Sequence, residues 1–383
     1  MNSENLKKLL DDMAGVYYPG VDLCIYHKHK EVFRYQAGYS DVENKIPVDP
    51  NAMYYLFSCS KPLTCTAALQ LMERGCYLLN DPVSYYIPEF ADVKVKTVSD
   101  NGIDQLVEPE TPITIKHLFT MTSGINYDLN TPYIQEVRER TGGKCPTSEI
   151  VKAIAKNPLA FQPGKHYRYG LNHDVLGGLI EIWSGMPFGE YIKKNILDPC
   201  GMTNTGFKLT DEIKKKMPPM YRRFETENNA FKVVPTDCEY KLGENSEYES
   251  GGAGIISCVE DYIKFADTMS NYGISPLTGE RIISKRTIDI MRTNTLSYDY
   301  INEYKKMNIG YGYGLGVRTL IDNAAGGILS TKGEFGWDGA AGSFILMDPD
   351  EELAIFMAEF TRNPYNDIVP HRITNAVYSS LDK

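Results

Sequence analysis

The stretch SCSKPLTCTA, from Ser58 to Ala67, carries two serines beside one lysine where an apolar run, AMYYLF, gives way to helical spacing. The run before it is β-like, and Leu63, Ala67, Leu69, Leu71 and Met72 after it recur as on a helix, so Ser58 stands at a helix N-terminus. Residues three apart on a helix share a face, which brings the Lys61 amine within reach of the Ser58 hydroxyl. A serine hydroxyl is a weak nucleophile at neutral pH, and a partly buried lysine is a suitable base for it. Free N–H groups at the helix start can hold a developing oxyanion. Ser60, three residues before Leu63, has no such lysine. Pro62 removes a backbone donor and predicts a distorted first turn. Taken alone, Ser-x-x-Lys is a common pattern that also fits a simple N-cap.

The regions on either side define the fold. Near the N-terminus, Leu6, Leu9, Leu10 and Met13 mark one face of a short helix, and GVDLCIYHKHKEVFRYQAGYSD alternates as a β-hairpin around His-Lys-His-Lys. Near the C-terminus, AAGSFILMDPDEELAIFMAEF predicts two more strands around Asp348-Pro349-Asp350, and VPHRITNAVYSSL predicts a closing helix. The middle is mostly helical. These elements predict an α+β fold, with an antiparallel sheet flanked by terminal helices and a mostly helical lobe inserted. The boundaries fall at about 1–57 and 250–383 for the α/β lobe and about 58–249 for the helical one, within a single domain and with a cleft where the lobes meet.

Composition excludes several function classes. The 383 residues carry a formal net charge of −10 and no basic stripe, which argues against a nucleic-acid partner. No stretch is apolar enough to span a membrane, and the N-terminal segment lacks the apolar core of an export signal, so the cytoplasm is the expected location. The eight cysteines are scattered without CxxC pairs or zinc spacing, which predicts buried reduced thiols and no metal. No cofactor is implied, and the oligomeric state is not legible.

Several motifs in order, from Ser58-x-x-Lys61 through ITIKHLFTMTSGI, RYGLNHDVLGG, LDPCGMTNTGF, GGAGIIS and GEFGWDGAAGSF, resemble the serine β-lactamase and penicillin-binding-protein superfamily over about residues 15–375. The resemblance implies a β-lactamase/transpeptidase-like fold and an acyl-enzyme on Ser58. It places Tyr169 at the family's catalytic tyrosine, sharing a proton with Lys61, whose ammonium would favour the phenolate. Leu171 replaces the family asparagine, and Asn172 follows as a substrate contact. Trp337-Asp338-Gly339 stands where Lys-Thr-Gly is usual, so the cation for a substrate carboxylate is missing. Trp337 offers an apolar wall and one N–H donor, Gly339 lets the strand approach substrate, and the Ala340 N–H joins that of Ser58 in an oxyanion hole. The spelling is closer to β-lactamase-like carboxylesterases and acyltransferases, acting on a small-molecule ester or acyl donor. The alternatives are a β-lactamase or D-alanyl-D-alanine carboxypeptidase, or a non-catalytic scaffold. His166 and His173 read as structural, His27 and His29 as residues of a surface turn, and the aromatic, charged stretch 221–242 as either a rim over the cleft or a surface loop.

Overall fold

The computed structural model describes residues 3–99, 101–224, 231–234, 242, 246–305 and 308–381. An eight-stranded antiparallel sheet runs in the order Tyr311–Tyr313, Arg318–Leu320, Phe335–Asp338, Phe344–Asp348, Leu353–Ala358, β1 (Gly20–His27), β2 (Lys30–Asp41) and Ile46–Pro47. The two ends of the chain therefore meet inside one sheet, where β1 pairs with Leu353–Ala358 in the register Leu23↔Met357 and Ile25↔Ile355. The hairpin turn falls on Lys28 and His29, both with positive φ (51° and 60°), the backbone that matches the right-handed twist of two-residue hairpins.

The period of two sorts the central strands onto two cores. Leu23, Ile25, Leu346, Ile355 and Met357 face the terminal helices α1 (Ser3–Met13) and Val369–Tyr378, through Leu6, Leu10, Ile373 and Val377. Cys24, Ile345, Met347, Ala354 and Phe356 face the other way, into a larger core shared with helix Val259–Ser270 and the inserted helices. Strands buried on both faces lose the apolar–polar alternation of a half-exposed sheet, as ILM and LAIFMA do here. Each fully buried Leu or Ile adds about 1.5–3 kcal/mol of hydrophobic stabilisation, so these layers fix the sheet that carries the Phe335–Asp338 strand.

The inserted helices centre on α2 (Ser60–Glu73), which is buried on every side from Ser60 to Leu71 and packs on helix Asn172–Ser184. An all-round buried helix needs its polar side chains satisfied internally. Thr64 donates to the Gly251 carbonyl (2.7 Å), Thr66 to the Pro62 carbonyl (2.8 Å), and Ser60 Oγ accepts from the Ile255 N–H (3.0 Å). Among the described residues seven cysteines are free, and all but Cys76 are buried.

Candidate active site

The strand Tyr54–Tyr55 pairs with Ile256–Ser257 and delivers the chain to Phe57, whose φ of 46° is costly for a bulky residue, on the order of 1–3 kcal/mol. Its ring is held between Tyr55, 5.9 Å away, and the Arg362 guanidinium at 4.8 Å. The distorted turn expected from Pro62 is a 3₁₀ turn over Phe57–Cys59 that leads straight into α2. Pro62 itself lies in the first turn of α2, where a missing N–H has no intrahelical partner to lose.

This turn sets Ser58 at the cleft with 8% of its surface exposed, above a Lys61 that is fully buried. Lys61 Nζ donates to Ser58 Oγ (3.2 Å) and to the Gly252 carbonyl (2.7 Å), and it lies 4.5 Å from the centre of the Tyr169 ring. Ser60, by contrast, is buried and committed to the Ile255 N–H. Tyr169 lies between two aromatic rings, Tyr127 at 5.6 Å and Trp337 at 5.7 Å, both stacked. Its oxygen accepts hydrogen bonds from Ser58 and from Trp337 Nε1 (3.2 Å), and both favour the phenolate. The expected phenolate is nevertheless corrected. Part of the ring remains open to the cleft, but the protein around the hydroxyl makes burial the largest influence, and it pushes the phenol upward, so Tyr169 rests neutral.

The third segment closes over the same turn. Cys59 Sγ lies 3.5 Å from the Trp337 carbonyl, and Ser343 Oγ donates to the Leu56 carbonyl (2.9 Å). Among the described residues neither Ala340 nor Ser58 gives its N–H to a backbone carbonyl. The glycine at 339 serves this closure, because a Cβ there would lie 2.0 Å from Ser343 Oγ and 2.5 Å from the Leu56 carbonyl. Gly339→Ala is accordingly expected to lower stability by about 2 kcal/mol, as overpacking does, and to displace the turn carrying Ala340. A thermal melt with parallel ester kinetics checks both effects; an unchanged melting temperature would show that the turn has slack.

Three further assignments change. Asn172 is fully buried, its amide oxygen held by Ser123 Oγ and its NH₂ directed at Met121 Sδ (3.1 Å), so it braces the start of helix Asn172–Ser184 and is no substrate contact. Trp337 spends its N–H on Tyr169, leaving the apolar wall as what it offers to the cleft. Asp338 turns to the buried Arg318, 3.6 Å away; burial pushes its carboxyl up and Arg318 offsets part of that. The histidines are structural as expected: His166 is exposed and bonded to Glu303 (2.7 Å), and His173 is buried beside Cys65 and pushed down to about 3, hence neutral. Of the stretch 221–242, residues 225–230 and 235–241 lie outside the described residues; the rest includes a short hairpin, Tyr221–Arg223 with Phe231–Val233. Tyr127 and the Gly252 carbonyl are members of the site that sequence reasoning missed.

Residues 7–376 match the family model described as Beta-lactamase. The chain belongs to the Beta-lactamase family. Within it, the chain is 26% identical to esterase EstB of Burkholderia gladioli over 358 residues, covering 88% of this chain and 84% of that one. It is 27% identical to ML-236A carboxylate methylbutanoyltransferase mlcH of Penicillium citrinum, covering 88% and 82%. Its fold superposes on EstCE1, a hydrolase with promiscuous acyltransferase activity, with a TM-score of 0.77 at 23% identity, covering 98% of both chains.

Proposed function

We propose that this Beta-lactamase family chain is a serine hydrolase that forms an acyl-enzyme on Ser58 from a small-molecule ester, and passes the acyl group to water or to an acceptor alcohol. The observation that carries this reading is the hydroxyl of Ser58 held between Lys61 Nζ at 3.2 Å and the Tyr169 oxygen. The Lys61–Tyr169 pair takes one proton from Ser58 during acylation and gives it back to the leaving group. As Ser58 Oγ bonds to the ester carbon, its proton passes to the pair, and the oxyanion meets the Ser58 and Ala340 N–H groups. The C–O bond to the leaving alcohol then breaks, and that oxygen takes the proton from the pair. Water or a second alcohol runs the sequence in reverse.

Esters are favoured over β-lactams because Trp337 stands where a lysine would meet a carboxylate, and the relatives named as an esterase and a methylbutanoyltransferase support the same class. A cavity of about 410 Å³, lined by Tyr127, Asn126, Asp128, Thr131, Asn157 and Leu171, adjoins the aromatic stack and suits a substrate of mixed polarity. A second cavity of about 370 Å³, walled by Met53, Tyr55, Met217, Met220 and Phe360, like the first includes none of Ser58, Lys61 or Tyr169, and unlike the first it has no wall in common with the aromatic stack. The cleft divides a sheet lobe, about 1–57 and 250–383, from a helical lobe, about 58–249. Free buried thiols support a reducing, cytoplasmic setting, and no helix among the described residues is long and apolar enough to cross a membrane.

The test measures p-nitrophenyl acetate, p-nitrophenyl butyrate and nitrocefin side by side, with and without an acceptor alcohol, and follows the protein by intact mass. An ester burst with an acyl adduct is expected, with nitrocefin at least about tenfold slower. Nitrocefin turnover exceeding that of the esters would move the assignment to a β-lactamase, and the absence of any adduct would favour the scaffold.

A further inference from the structure

Asp174 lies one residue past His173 on helix Asn172–Ser184 and is 1% exposed. Its Oδ1 accepts from the Tyr248 hydroxyl (2.5 Å), Ser250 Oγ (2.6 Å) and, at longer range, the Gly252 N–H (3.4 Å). Among the described residues Oδ2 has no hydrogen-bond partner. A buried carboxylate oxygen left unpaired costs free energy and calls for an explanation. The explanation lies on the other side of Gly252. A Cβ on that glycine would stand 2.7 Å from Asp174 Oδ2 and 3.4 Å from Lys61 Nζ, so the two groups lie within about 6 Å of each other across one peptide. The carbonyl of the same residue is the one that receives Lys61 Nζ, and the neighbouring Gly251 carbonyl receives Thr64 one turn along α2.

We propose that Asp174 is a positioning residue for Lys61: it ties Ser250–Gly252 into place so that the Gly252 carbonyl orients the amine, and its charge sets how firmly the Lys61–Tyr169 pair holds a proton. Among the described residues, the other titratable groups named around Lys61 are neutral or already matched. His173 is held neutral by burial, the buried Cys59 thiol is pushed up to about 12, and burial likewise pushes the Cys65 thiol up. Tyr127 contributes a ring face at 5.8 Å, Tyr169 rests neutral, and Asp338 is matched to Arg318. The inference rests on the proposed Ser58 chemistry.

The experiment is the pH profile of kcat/KM for p-nitrophenyl butyrate in wild type and Asp174→Asn, with adduct mass and thermal melts on the same samples. Asparagine keeps the shape and the acceptor oxygen but removes the charge. The pair then loses its proton more readily, so the acid limb is expected to move to lower pH by about one unit. A merely structural role would lower the melting temperature and the rate while leaving the limb where it was, and that result overturns the proposal. Should Asp174→Asn fail to fold, Ser250→Ala keeps the carboxylate and strips one donor from it. More of the charge is then felt at Lys61, so the limb should move to higher pH, and an unmoved limb is again fatal. A wild type that forms no adduct would remove the Ser58 reading itself, which separates that failure from this one.

Discussion

Ser58→Ala is expected to cut ester turnover by at least about 10³-fold and to abolish the acyl adduct, while leaving the melting temperature within a few degrees of wild type. The rate effect is large because the hydroxyl is the bond-forming atom, and no nearby group replaces it. Ser60 is buried and bonded to the Ile255 N–H, and Cys59 and Cys65 are buried thiols pushed far above neutral pH, so none is poised to attack. The structural effect is small because Ser58 has one rim of its side chain at the cleft and α2 is held by its apolar surroundings. Lys61 loses one acceptor and keeps the Gly252 carbonyl. Purified variant and wild type are compared by initial rates and intact mass. Residual turnover above about a hundredth of wild type, or an adduct surviving in the variant, would reject Ser58 as the nucleophile.

What could be read from residue order follows a physical division. The hairpins at both chain ends, the terminal helices and the Ser58–Lys61 pair depend on local periodicity, and the structure has them where the sequence places them. Asn172 was misjudged because one residue's rotation at a helix start decides whether an amide meets the cleft or, as here, Ser123 in the interior. The ionisation of Tyr169 was misjudged because the nearby ammonium is visible in a motif, whereas the bulk of protein around the hydroxyl is not. At Gly339 the sequence suggests a close approach, but not that Ser343 Oγ and the Leu56 carbonyl, the latter 283 residues earlier in the chain, would crowd a Cβ there. Tyr127, Gly252 and Asp174 escaped notice for the same reason: their roles exist only when segments around 61, 127, 169, 174 and 252 are folded together.

Tyr169→Phe separates the two members of the proposed proton relay. The phenylalanine ring keeps both stacks, on Tyr127 and on Trp337, so the aromatic wall should survive; Trp337 Nε1 loses its acceptor, at a cost of about 1 kcal/mol. The acylation rate is nevertheless expected to fall by about 10²- to 10⁴-fold, the usual worth of a positioned general acid–base. The sign of the pH effect follows from burial. A phenol pushed upward does not ionise by itself near neutrality, so its loss should not simply shift a limb of the profile. Instead the whole profile should drop, because Lys61 would have to take the Ser58 proton and return it to a leaving oxygen from a buried position beneath the serine. Pre-steady-state bursts with p-nitrophenyl butyrate read the acylation step directly. A loss of less than about tenfold would mean that Lys61 suffices as the base, and Tyr169 would then be a wall of the cleft held in place by its two neighbouring rings.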